Sequence, residues 1–294
     1  MLKDVCICQR GAKILRLIIN VMVTMVFMIV SIYAVKNPVF PKTTAYSFVR
    51  EAAKKEMEIR TRNWESLTNK YFIVKYHQKD AGIADLVLNT IIEDYQSVND
   101  LLKFDNKRTV PIVIYPDNAS LVKSFGWDAD ESALGVYWAG VIRVLSPFEW
   151  LDENMSQEEM LIRFRESGPM VHEYVHLVVD YRTKGNYTRW FTEGIAQLIE
   201  RDITGFEFDY PAKKGEWYPL KDMDRGFDKL PSQSNAYRQS LVMVEKLVNE
   251  YGYEGLNKIL DYLGEGKTMK QAFWLGTGIT LKNFEEICRS SQSF

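Results

Sequence analysis

The chain has 294 residues, 46% of them hydrophobic, and its 37 basic and 39 acidic residues leave a formal net charge of −2. That balance lacks the basic footprint of a nucleic-acid-binding protein. Three cysteines at this length do not make a disulfide scaffold, so the fold has to rest on a packed core.

From Leu17 to Val35 run 19 residues without a charge, bounded by Arg16 and Lys36. As a helix this run reaches about 28 Å, enough to cross the hydrocarbon of a bilayer, and one N-terminal transmembrane helix is expected over 17–35. Lys3, Arg10, Lys13 and Arg16 precede it against the single acid Asp4. The positive-inside rule then places the 1–16 tail in the cytoplasm and everything beyond Lys36 outside. The rival account is a cleaved signal peptide. Cleavage after Ala34 would leave Ile32 at the other small-residue position, so an uncleaved signal anchor is favoured. Cys6 and Cys8 read as thiols on the cytoplasmic side, and Cys288 is then alone outside, with no partner for an intramolecular disulfide. Setting the tail aside, 33 basic residues face 38 acidic ones, which again speaks against nucleic acid as a partner.

Residues 36–69 are expected to form a juxtamembrane stalk. The part from Thr43 to Lys70 is rich in Lys, Glu and Arg, with Phe48, Val49, Met57, Ile59, Trp64 and Leu67 scattered through it. It reads as helical, either free or packed back on the domain downstream, and its apolar spacing does not choose between the two. Residues 71–77 then alternate as a strand, 83–103 carry helical spacing, and 110–115 form a second strand. A short helix near 118–125 precedes a hairpin that turns near Ala139-Gly140. An extended peptide could pair with the edge of such a sheet. Tyr137 and Trp138 are expected to pack rather than to line a cleft.

The densest chemical signal lies next along the chain. Two of the three histidines lie in His172-Glu173-Tyr174-Val175-His176. Four residues apart on a helix, they present both imidazoles to a single ion, while Glu173 sits about 100° around the helix. A catalytic zinc takes three protein ligands and keeps a fourth position for water. Glu173, beside the metal rather than on it, is the candidate general base. Ser167 is the expected cap of this helix, with Pro169 tolerated in its first turn. The third ligand is expected from Arg189-Trp190-Phe191-Thr192-Glu193-Gly194. Glu193 lies 17 positions beyond His176, past a helix stop at Lys184-Gly185-Asn186, with Thr192 as the cap of its helix. Asp180 and Glu200 are the competing ligands, ranked below it. Gln197 is a weaker candidate for orienting a ligand. Val179 and Arg182 stand where a metzincin needs Gly and a third His, so that class is excluded.

The Asp and Gly residues of 202–230 suggest an irregular connection, possible as a flap over the site. Helices are expected over 235–251, ending at Gly252, from a capping box at Thr268 to Gln271, and over 280–289.

HEYVH followed by RWFTEGIAQLIE resembles the gluzincin metallopeptidases, in particular the bacterial peptidase MA-like domains. The resemblance extends to the strands at 71–77, 110–116 and 135–144, and to Ala236-Tyr237-Arg238-Gln239-Ser240, Tyr251-Gly252-Tyr253-Glu254 and Gly266-Lys267-Thr268 downstream. It covers about residues 70 to 290. It implies an α+β, thermolysin/gluzincin-like two-lobe fold over 70–294, with a small sheet beside the motif helix and a helical C-terminal lobe. It also implies Zn2+ on His172, His176 and Glu193, Glu173 as general base, and Tyr237, which matches the family's tail motif, as donor to the oxyanion. The spacing to Glu193 is shorter than in thermolysin-like relatives. The Gly-x-Met-Glu-Asn signature of the large aminopeptidases is absent, which favours an endopeptidase.

The expectation is therefore a membrane-anchored zinc metallopeptidase of a bacterial cell, single-pass, with its catalytic domain extracytoplasmic and a peptide or protein as substrate. The alternatives are a zinc hydrolase of non-peptide amides and an inactive extracytoplasmic binding or signalling module. Retention of Glu173 argues against the last, since a structural zinc site has no use for a base. An intramembrane protease is disfavoured by the charges at Arg163, Arg165, Glu166, Asp180 and Arg182 around the motif.

Overall fold

The computed structural model describes residues 19–35, 37, 39–126, 133–152, 154–210 and 217–290. The expected cytoplasmic tail, with Cys6 and Cys8, and the first two residues of the expected span, Leu17 and Ile18, fall outside these. The first helix, α1, runs Ile19–Val35. Its apolar side chains are exposed all round, as at Val23, Phe27 and Ile29. Among the described residues no single helix is long and apolar enough to cross a membrane. The next helix, α2, runs Phe40–Arg60.

Helix α2 does not stand free. Arg50, Ala53 and Met57 are buried on one side of it. Met57 joins Val113, Tyr115, Leu121, Val141 and Leu145 in a small core on one face of the sheet. A chain reversal at 61–64 then leads into β1 (Glu65–Thr68), so the segment read as a stalk holds a strand as well as a helix. Because β1 pairs with β2 (Phe72–Tyr76), the sheet begins before residue 70.

The sheet has five strands in the order β1-β2-β3-β5-β4. β3 is Val110–Tyr115, β4 Gly135–Trp138 and β5 Val141–Leu145. Helix α3 (Ala81–Leu101) is the crossover that makes β2 and β3 parallel. β3 and β5 are also parallel, and a two-residue turn folds β4 back antiparallel onto β5. Both turn residues have positive φ, Ala139 at 48° and Gly140 at 87°, the conformation of a tight hairpin turn. β4 is left as an edge strand. Alternation sends Ile112, Ile114, Ile142 and Val144 to one face and Val113, Tyr115, Val141 and Leu145 to the other. Helix α4 (Asn118–Phe125), capped by Asp117, covers part of the second face through Leu121.

The first face belongs to the large core, which continues without a break into the C-terminal helices. These are α5 (Gln157–Ser167), α6 (Met170–Thr183), α7 (Arg189–Thr204), α8 (Leu220–Gly226), α9 (Gln233–Gly264), α10 (Met269–Thr277) and α11 (Leu281–Ser290). The architecture is a helix-dominated α+β fold with one small sheet. The stop expected at Gly252 is present as a kink: this residue takes φ 64°, ψ 175° and divides α9 into two helical halves. The capping box of α10 forms as expected, with Thr268 and Gln271 bonded reciprocally.

Two expected caps fall elsewhere. Ser167 is the last residue of α5, and α6 starts at Met170 with Pro169 before it and no side-chain cap. α5 itself has a capping box, Ser156 with Glu159, which reading the chain for the motif helix alone overlooked. Thr192 lies inside α7, whose boundary residue is Thr188. The 202–230 connection includes α8 and a 3-10 turn at Phe227–Lys229.

Candidate metal centre

Helix α6 is buried along most of its length, and its motif face meets α7. His172 and His176, one turn apart, have ring centroids separated by 4.8 Å. Their Nε2 atoms lie 3.3 and 3.5 Å from the same oxygen, Oε2 of Glu193 in the second turn of α7. One donor atom from each of the three residues lies within 4.8 Å of the others. The far nitrogens are occupied. Nδ1 of His172 is 2.9 Å from Oε2 of Glu200, and Nδ1 of His176 is 2.7 Å from Oγ1 of Thr192. A carboxylate only accepts, so Nδ1 of His172 carries the proton and the ring is oriented with Nε2 toward Glu193.

Glu193 is buried, and its two oxygens differ. Oε1 forms an ion pair with Nε of Arg189, one turn earlier on the same helix, at 2.9 Å. Oε2 is buried, faces the two imidazole nitrogens and has no well-aligned hydrogen bond. A carboxylate oxygen without a well-aligned partner is costly in a protein interior. Set between two imidazole nitrogens, it completes a three-ligand N, N, O donor set of the kind that suits zinc. The residues present therefore fit a divalent metal.

The charges point the same way. Burial acts to lower the pKa of His172, but the carboxylates of Glu200, Glu193 and Glu173 outweigh it and hold the imidazole well above its ordinary value. For Glu193, burial acts upward and is overcome by His176, Arg189 and His172, so its carboxyl stays well below the usual range. The arrangement favours positive charge at its centre.

Glu173 projects to one side of this group, buried, with Oε2 accepting from the backbone N–H of Tyr137 at 2.5 Å. Burial raises its pKa above the ordinary carboxylate value, and the two imidazoles oppose that rise. A carboxylate shifted upward in this way is better matched to taking a proton near neutral pH.

Residues 163–292 match the Peptidase MA superfamily. The peptidase MA segment starts in α5 and holds every residue of the donor set together with Glu173, while the sheet lies outside it. It agrees with the resemblance carried by HEYVH and RWFTEGIAQLIE. No curated protein matches the chain.

Within the peptidase MA segment, the other expected residues take up different places. Tyr237, in the first turns of α9, has its hydroxyl 3.5 Å from Nη2 of Arg189 and its ring edge-on to Phe227. Burial, helped by the Glu193 carboxylate, pushes its pKa up to about 12, so it stays protonated. Glu200 is a partner of His172 rather than a member of the donor set. Asp180 is outside it as well, fully buried and bonded to the hydroxyl of Tyr137. Gln197 touches no ligand side chain. It donates to the backbone oxygens of Glu193 and Tyr237, both at 3.1 Å, and accepts from the hydroxyl of Tyr210.

The roles of Arg189, Thr192, Glu200 and Tyr137 were missed or misassigned from sequence. Helical spacing was the available signal for two of them. Arg189 precedes Glu193 by one turn and Glu200 comes two turns after it, which puts all three on one face of α7.

Proposed function

We propose that this protein is a zinc metallopeptidase, an endopeptidase anchored by its uncharged N-terminal segment, 17–35, with its catalytic unit outside the cell. The supporting observation is the convergence of the buried Oε2 of Glu193 with two oriented imidazole nitrogens. His172, His176 and Glu193 would hold the ion. Zinc bound there supplies Lewis acidity and lowers the pKa of a water to about 7.

The remaining work belongs to side chains. Glu173 takes the proton from the attacking water and delivers it to the leaving amine. Tyr237, protonated and beside Arg189, donates to the oxygen that gains charge on the attacked carbonyl. β4, the edge strand beside the motif helix, offers backbone to an extended substrate. In this reading the sheet and α2 form one lobe and α7 to α11 the other, with α6 between them, so the catalytic unit begins with α2. The all-round apolar surface of α1 supports an anchor.

The test is zinc stoichiometry and cleavage of a peptide library by the full chain, wild type against Glu173→Gln. One zinc in both proteins with cleavage only by wild type is the expected result. Zinc bound with no cleavage by either would turn the assignment toward a non-peptide amide or a binding module, and no zinc after folding in zinc-replete medium would overturn it.

A further inference from the structure

We infer that helix α2 positions Glu173 through a buried chain of contacts, Arg50 to Asp180 to Tyr137 to Glu173, in which Tyr137 is the positioning residue. The inference rests on the reading of Glu173 as general base.

Tyr137 joins Asp180 to Glu173. Its backbone N–H donates to Oε2 of Glu173 at 2.5 Å. Its side chain reaches the other way, where the hydroxyl donates to Oδ2 of Asp180 and accepts from the N–H of Gly140 at 2.9 Å. One tyrosine thus ties the edge strand, its hairpin turn and the motif helix together. Asp180 lies two turns beyond Glu173 on α6 and is fully buried. It meets a guanidinium from α2, with Nη1 of Arg50 3.7 Å from Oδ2. Arg50 is itself buried and stacks on the Tyr181 ring, 4.6 Å from its centroid. Losing one partner of a buried charge pair is far more disruptive than losing an exposed one.

Steric fit supports the same linkage. A Cβ on Gly135 would lie 2.5 Å from Cβ of Pro169 and 3.0 Å from Cγ of Glu173, so β4 is seated against the base with no room to shift. At the far end of the hairpin, a Cβ on Gly140 would lie 3.0 Å from Cε of Lys54, also on α2. The strand that orients the base is held at one end by the motif helix and at the other by α2. Without Arg50 the Asp180 carboxylate is free to leave Tyr137, the turn loses its hydroxyl acceptor, and the N–H on Glu173 is no longer fixed.

The experiment uses the full chain as wild type, Arg50→Gln, Arg50→Lys, Tyr137→Phe and Glu173→Gln. Hydrogen exchange is followed by mass spectrometry, with zinc stoichiometry and peptide-cleavage kinetics measured in parallel. Arg50→Gln and Tyr137→Phe should speed exchange in 135–140 at least tenfold while 110–115 stays protected. They should lower kcat about tenfold with KM and zinc content unchanged, and Arg50→Lys should restore most of both. Unchanged exchange in 135–140, or faster exchange with kcat intact, would overturn the inference. If Glu173→Gln cleaves as fast as wild type, the functional reading has failed instead, and the exchange data still decide whether α2 holds β4.

Discussion

Nδ1 of His172 lies 2.9 Å from Oε2 of Glu200, two turns beyond the glutamate of the donor set on α7. The carboxylate orients the ring and makes Nε2 a stronger donor, and losing such an outer partner typically costs about 10- to 100-fold in metal affinity. Glu200→Gln is expected to weaken zinc binding within that range while the fold is retained. Competition against a chelator of known affinity measures it; an unchanged dissociation constant would show that the contact does not orient the ligand.

Gly194 comes directly after Glu193 because helix α9 lies too close for any other residue. A Cβ there would run into the backbone oxygen of Ser240 and lie 2.5 Å from Cγ2 of Val244. Gly194→Ala is expected to push α7 from α9 and destabilise the protein by about 1–3 kcal/mol. Because Glu193 and Tyr237 sit on the two helices being separated, zinc affinity should fall together with Tm. Thermal unfolding with and without zinc separates the two effects.

Met57 fills the small core under α2, where it is buried with Val113, Leu121 and Val141. Truncating a buried side chain of this size costs about 2–5 kcal/mol. Met57→Ala should show a loss in that range in urea unfolding of the full chain. If α2 were a free stalk, the loss would be near zero.

Asp180 gives a pH dependence whose sign is set by its burial, which raises its pKa from 3.8 to about 6 against the pull of Tyr137, Arg50 and Lys54. An acid that holds its proton more tightly when folded destabilises the fold once ionised. Its cost is absent below about pH 4 and grows as pH rises through 6, to about 3 kcal/mol for a shift of this size. Asp180→Asn removes that cost, so its stability relative to wild type should rise between pH 4 and 7. Urea unfolding of both proteins across that window is the measurement, and parallel curves would contradict it.

What could be read from sequence was whatever has a short period. Two histidines four apart, alternation in 71–77 and the turn at Ala139-Gly140 are local patterns, and the structure has a helix, a strand and a hairpin there. The convergence on Glu193 needed a guess about how two helices meet, which the helix stop at Lys184-Gly185-Asn186 suggested and the family resemblance reinforced. Contacts set by packing alone were hidden. Thr192 looked like a cap because Thr often is one, yet tertiary structure turned its hydroxyl to His176. Met57 and Arg50 are scattered among charges in α2, and only the sheet face and Asp180 give them a side to bury. Tyr137 was expected to pack, and it does, but a backbone N–H aimed at Glu173 leaves no trace in residue type.

The break at Gly252 divides α9 into two helical segments. The first carries Tyr237 and lies on α7, while the second presents Asn257 and Asp261 to Arg182 at the far end of the motif helix. A continuous helix would lock the rotational phase of one rod to the other, so that seating Arg182 would dictate where Tyr237 points. The dihedral angles at Gly252 are open essentially only to glycine. That residue lets the two alignments be set separately.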